Sequence, residues 1–177
     1  MTAIIHRRGP DGHLGPCPQS PFAVDTFLAQ PLVARLATCG LALQPVWYLW
    51  EEEEFWVITG TWSGLERRLT TDSAFTLVVD TCDPGTGRVR QVLARGHGTV
   101  TAFDAARGRR KLSRYLGPDE EHWDARFRCS GPAATANRWA RLAPDSLRIA
   151  DLSFRPAPGG PAPTCAGPPP CTPVRKP

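Results

Sequence analysis

The chain reads as a mainly β protein, an antiparallel barrel with short helices in its connections. Three observations predict it. Six or seven short segments are rich in Val, Ile, Thr, Leu and aromatic residues, with the two-residue alternation of a half-buried strand. Most are separated by brief turn sequences, which favours antiparallel neighbours. A long β-favouring run is interrupted at Gly96 and Gly98, as a bulge or barrel bend requires. This many strands commonly closes on itself.

Taken in order, residues 25–30 form a short helix that Pro31 stops. Residues 32–39 set Leu32, Ala34 and Leu36 against Val33, Arg35 and Ala37, as a strand does, and Gly40 marks a turn. Residues 44–50 are aromatic, with Pro45 implying an edge or a strand start. Glu51 to Glu54 follow and residues 55–59 resume the pattern, a hairpin with a solvated acidic tip. Residues 63–69 read as a helix with Ser63 as N-cap and Glu66 at the capping-box position. Residues 74–80 form a strand, 83–87 a turn, and 89–103 the long interrupted strand. Residues 105–116 read as a helix whose Arg107, Arg109, Arg110, Lys111 and Arg114 make a surface stripe, ended by Gly117-Pro118. A short helical stretch covers 120–127, and 138–143 with 147–150 form a last strand pair around Pro144-Asp145.

The 177 residues carry 19 Arg and 2 Lys against 17 acids, a formal charge of +4, with 41% hydrophobic residues. Four of the 19 prolines fall in residues 1–21 and nine in 156–177, and these flanks hold most of the excess charge. They lack the apolar content to offset their ordering entropy. The expected organisation is a flexible N-terminal extension over 1–21, a nearly neutral folded domain over 22–155, and a disordered Pro-rich tail over 156–177. A balanced domain without a reader motif argues against nucleic acid, and no apolar run is long enough to span a membrane. The first thirty residues lack a signal-peptide pattern. Six cysteines form no Cys-x-x-Cys pair and the four histidines do not cluster with them, so no metal site is expected. Reduced thiols and a cytoplasmic location follow as expectations.

Three runs carry a family resemblance: residues 27–38, Pro45-Val46-Trp47-Tyr48-Leu49-Trp50, and Phe55-Trp56-Val57-Ile58-Thr59-Gly60. In that order they resemble the pyridoxamine-phosphate-oxidase-like, FMN-binding split barrel. Arg114-Tyr115-Leu116-Gly117-Pro118-Asp119 and His122-Trp123-Asp124-Ala125-Arg126-Phe127 resemble its actinobacterial branch, which uses the deazaflavin coenzyme F-420 or a flavin. The resemblance covers 22–155. It implies a homodimer of six-stranded antiparallel split barrels with a cofactor in each groove between subunits.

It also implies site residues. Gln44, Val46 and Trp47 would line the ring-binding groove, chiefly through backbone groups, and Thr59, Gly60, Thr61 and Ser63 would flank a phosphate. The family's Ser-x-Lys-x-Arg-Asn-Leu-like run falls on Ser63 to Leu69, where Leu65 replaces the usual Lys and Arg68 the usual Asn, while Arg67 keeps its place. Arg67 and Arg68 are therefore the expected phosphate cations, in altered geometry.

No catalytic residue is assigned; Tyr48 or solvent is the expected proton source, and His97 reads as structural. Trp47, Trp50, Trp56 and Trp62 read as core or interface, with one of them available to flank a ring. Cys39, Cys82 and Cys129 read as small apolar fillers. The implied activity is hydride transfer between a reduced deazaflavin and an electron-poor small organic molecule. The alternatives are an FMN-dependent oxidase or flavin reductase, or a non-enzymatic binder of a flavin-like or polyaromatic ligand.

Overall fold

A computed structural model describes residues 2–40 and 42–156. One antiparallel sheet contains β1 (Thr2–Arg7), β2 (Val33–Thr38), β3 (Ala42–Trp47), β4 (Leu49–Glu51), β5 (Glu54–Gly60), β6 (Ala74–Asp83), β7 (Arg88–Ala102) and β8 (Asn137–Asp151). Its order is β3-β2-β6-β7-β8-β5-β4, and β1 lies end to end with β5 along one edge of β8. The sheet curls until β3 comes back beside β5, making a half-barrel. The helices are α1 (Val24–Leu28), α2 (Leu65–Thr71), α3 (Ala105–Leu116) and α4 (Pro132–Thr135).

Mainly β and antiparallel is what the sequence predicts, yet there are eight strands among the described residues rather than six. One extra strand is β1, from the segment read as flexible: Thr2 pairs with Asp151 and Arg7 with Ser146. The unpaired edge of β8 supplies the backbone partners that a lone six-residue strand could not find. The other arises because the run over 44–50 breaks at Tyr48, which turns into the core with no exposure. Residues 138–143 and 147–150, read as a strand pair, are instead one continuous strand, with a register shift opposite Arg95 and Gly96. A Cβ on Gly96 would lie 2.0 Å from the Ala143 carbonyl oxygen, so only glycine fits this bulge. The Pro-rich tail from residue 157 lies outside the described residues.

The core is built from alternate strand positions: Ala34 and Leu36, Phe55 and Val57, Leu77 and Val79, Val92 and Ala94, Leu147 and Ile149, all buried. The opposite face of β5 and β8 carries Trp56 and Trp139, whose rings meet edge to face 6.1 Å apart. It is covered by Phe103 just before α3, by Leu112 of α3, and by Trp123 and Cys129 of the segment after it. The acidic hairpin tip is not simply solvated. Glu54 is 5% exposed and bound by both arms of Arg141 at 2.6 Å. Glu53 accepts the amides of Leu14 and Gly15 at 2.8 and 3.0 Å, which draws the N-terminal segment onto the barrel end. Buried Leu14 and Phe22 complete that contact.

Candidate functional site

A cleft of about 770 Å³ lies between the β2–β3 edge, β5, the start of α2, and α3. Its position follows from the break at Tyr48, which sends Tyr48 inward and leaves Trp47 on the outer face. There Trp47 stacks on Tyr115 of α3, with centroids 4.8 Å apart and planes 8° from parallel, and tilts against Phe127. Tyr115 holds this wall in place. Its hydroxyl accepts the Tyr48 amide at 3.2 Å and lies 2.9 and 3.0 Å from the carbonyls of Leu32 and Tyr48. Arg114 beside it donates to the carbonyls of Leu28, Ala29 and Gln30 at the end of α1.

The opposite end of the cleft is the turn from β5 into α2. Thr59 Oγ1 and Ser63 Oγ are 2.5 Å apart, and Ser63 Oγ accepts the Leu65 amide at 3.2 Å. Gly64, at φ 64°, makes the left-handed entry that a side chain would disfavour. From α2, Arg68 reaches back to β2 and β3: its Nε donates to Thr38 Oγ1 and its Nη2 to Gln44 Oε1, both at 3.0 Å.

Gln44, Val46, Trp47 and Ser63, four of the residues named from sequence, thus share one cleft, and Arg68 sits behind it on Gln44. The others stand apart. Thr59 is fully buried and committed to Ser63, Gly60 is buried beneath the turn, and Thr61 is exposed outside the lining. Arg67 projects from the exposed side of α2 and makes no side-chain hydrogen bond or ion pair among the described residues.

Sequence reasoning missed the cleft's contributions from Val33, Lys111, Arg126, Phe127 and Asn137. Lys111 does not belong to a surface stripe: it is 3% exposed, and burial lowers its amine to about 7. Its position three residues after Gly108 and four before Tyr115 on α3 carried that signal. Arg107 departs likewise, its guanidinium carbon 3.7 Å from the centroid of the Trp56 ring.

Two further expectations change. Tyr48, suggested as a proton source, is buried in the barrel with no partner for its hydroxyl among the described residues, and burial pushes that hydroxyl well above its usual range. Cys82 is exposed, whereas Cys129 is buried as a filler should be. His97 is exposed and pairs with Asp145 at 3.0 Å.

Chemically the cleft offers flat aromatic and aliphatic walls with a few polar groups. Among the described residues its lining includes the basic side chains of Lys111 and Arg126 and no carboxylate; Arg126 also pairs with Asp124 outside it. A second depression of about 980 Å³, between α2, β7 and residues 129–138, is lined by none of the candidate cofactor-binding residues named from sequence.

Solved structures place this architecture. A conserved hypothetical protein of Mycobacterium tuberculosis matches 82% of this chain and 98% of its own at a TM-score of 0.62 and 18% identity. A candidate pyridoxamine 5'-phosphate oxidase from Listeria innocua matches 71% of this chain and 94% of its own at 0.54 and 12%. An F-420 reductase matches 72% and 97% at 0.50 and 20%. The chain therefore has the split-barrel fold of the pyridoxamine-phosphate-oxidase-like proteins, a fold that carries flavin- and deazaflavin-linked members. No family model matches the chain. No curated protein matches it either.

Proposed function

We propose that the chain is an oxidoreductase that binds coenzyme F-420 in the cleft and serves hydride transfer to an electron-poor small organic molecule. The observation that carries this reading is the meeting of Gln44, Val46, Trp47 and Ser63 in one mostly apolar cleft without carboxylates, backed by Arg68. Its size suits a ring cofactor, since such sites are typically about 300–1,000 Å³. When bound, the cofactor supplies the hydride chemistry.

The residues fit that group. Trp47, held flat by Tyr115, gives a planar wall for a ring system. The β3 backbone beside it is an edge of the sheet, with amides and carbonyls free to meet ring heteroatoms. Arg68 and Arg67 offer positive charge to a phosphate, Arg68 from a fixed position and Arg67 from solvent. Val46 and Val57 make an apolar wall on the ring side.

A homodimer belongs to the same reading. Val33 and Trp62 on the cleft rim are 43% and 65% exposed, and Leu43 nearby is 68% exposed, an apolar surface that a second subunit would cover. A reduced, cytoplasmic setting belongs to the same reading.

The test is a titration of purified protein with F-420 and with FMN, followed by intrinsic Trp emission. Binding of F-420 with turnover of its reduced form supports the proposal. Binding of FMN alone supports an FMN-dependent oxidase or reductase, tight binding without turnover a carrier, and binding of neither removes the redox reading. Light scattering reads the subunit count; a stable monomer would remove the shared groove.

A further inference from the structure

Lys111 is a lysine in an uncommon place. It lies on the buried face of α3, is 3% exposed, and forms part of the cleft wall beside Leu112. Among the described residues its ammonium has no hydrogen bond and no ion pair; Nζ lies over the Trp139 ring, 5.7 Å from its centroid. A buried charge without an anion is costly, so an anion that reached this amine would complete it.

The surroundings leave that role open to a ligand. From the segment after α3 comes the Cys129 thiol, which burial raises and keeps neutral, and from β8 comes the Trp139 ring. Arg126 lines the cleft as a second cation, paired outside it with Asp124. The carboxylates of α3's own neighbourhood are engaged elsewhere: Glu51 by Arg107 and Arg110, Glu120 by Arg109, and Asp104 by the first amides of the helix. Among the described residues no acid lines the cleft.

We propose that Lys111 is a ligand-contacting cation and that the cleft selects flat aromatic anions, the Lys111 ammonium meeting a negatively charged oxygen or nitrogen carried to the buried wall. The proposal rests on the cleft being the ligand site. It does not depend on which cofactor fills it. Burial already lowers the amine to about 7, so an anion that restores its charge is bound together with a proton, and affinity falls as pH rises above that value.

The sequence makes the test clean, because Lys111 and Lys176 are its two lysines. The full chain is titrated with anilinonaphthalenesulfonate, an aromatic anion, and with phenylnaphthylamine, which has the same ring system without the sulfonate. Wild type should prefer the sulfonate by at least about tenfold, the scale of one charge-assisted hydrogen bond. Lys111→Met should abolish the preference while leaving the neutral dye unchanged, and Lys111→Arg should keep it. A preference that survives in Lys111→Met overturns the proposal.

Should Lys111→Met fail to fold, nitrogen-labelled lysine in Lys176→Arg gives one side-chain signal to follow. Its shift toward the protonated form at pH 8 on adding the sulfonate, and not the neutral dye, supports the proposal; a signal indifferent to both overturns it. Displacement of the sulfonate by F-420 or FMN assigns the anion to the cofactor. A sulfonate preference with no binding of either cofactor leaves Lys111 in its role while the cofactor reading fails, and assigns the anion to another organic ligand.

Discussion

Arg68 Nη2 donates to Gln44 Oε1 at 3.0 Å, which ties the cation of α2 to the strand edge that faces the cleft. With Thr38 taking Arg68 Nε at 3.0 Å, the guanidinium is held by both strands of the β2–β3 pair. The neighbouring Arg67 has no such anchor. The two arginines therefore differ in what they offer a phosphate.

Arg68→Ala should weaken F-420 or FMN binding by about 1.5–3 kcal/mol, the range of charge-assisted hydrogen bonds, and the loss should persist in high salt. Arg67→Ala should cost under about 1 kcal/mol and lose its effect in high salt, as an exposed charge does. Calorimetry at two ionic strengths separates them. Equal, salt-independent losses would contradict this division.

Acid stability should depend on Glu51, which accepts from Arg107 Nε at 2.7 Å and from Arg110 at 3.0 and 3.1 Å. Burial alone would raise its carboxyl, but the hydrogen bonds from Arg110 and Arg107 outweigh that and hold it below the usual carboxylate range. The folded state then binds this proton less readily than the unfolded chain does. Its stabilisation is present above the ordinary carboxylate value and is lost as pH falls through the lowered one. Glu51→Gln should cost about 1–2 kcal/mol at neutral pH and flatten the fall of Tm in acid. An unchanged acid profile would count against it.

Glu54 and Arg141 should respond unequally to removal. The Glu54 side chain is 6% exposed and that of Arg141 48%. Arg141→Ala strands a buried carboxylate and should cost about 3–5 kcal/mol, whereas Glu54→Ala lets the arginine turn to water and should cost less. Urea melts of both variants check the order. The reverse order would show that Glu54 tolerates its burial without a partner.

Glu52 should be improvable. It and Glu53 both lie at φ 58° in the two-residue turn between β4 and β5, where Asn and Gly are the favoured residues. Glu53 is committed to Leu14 and Gly15, but Glu52 is exposed and gives up only a 3.2 Å contact with Arg107. Glu52→Asn should raise stability by about 0.5 kcal/mol, read as an increase in Tm. A lower Tm would mean that the Arg107 contact outweighs the backbone strain.

The strands of the barrel were legible because alternation writes them directly: Ala34 and Leu36 are buried where Val33 and Arg35 are exposed. The break at Tyr48 was not, since both sides of it are equally aromatic and β-favouring. Nor was β1, whose partner lies nearly the whole chain away at 146–151. In the site, Gln44, Val46, Trp47 and Ser63 were legible through local motif order, each lying near a strand end or turn. Lys111 was hidden by its neighbours: among so many arginines a lysine reads as surface, although the helical period puts it on the face of Gly108 and Tyr115. Charge type misled there, and spacing did not.

The central claim, that the cleft holds the cofactor ring, is tested most directly by filling it. Val46→Trp puts an indole on the β3 wall of the cleft, where Val46 is half-buried. Calorimetric titration of wild type and this variant with F-420 should show binding to wild type and at least about a tenfold loss in the variant at unchanged Tm. Equal affinity in the two proteins would contradict the account.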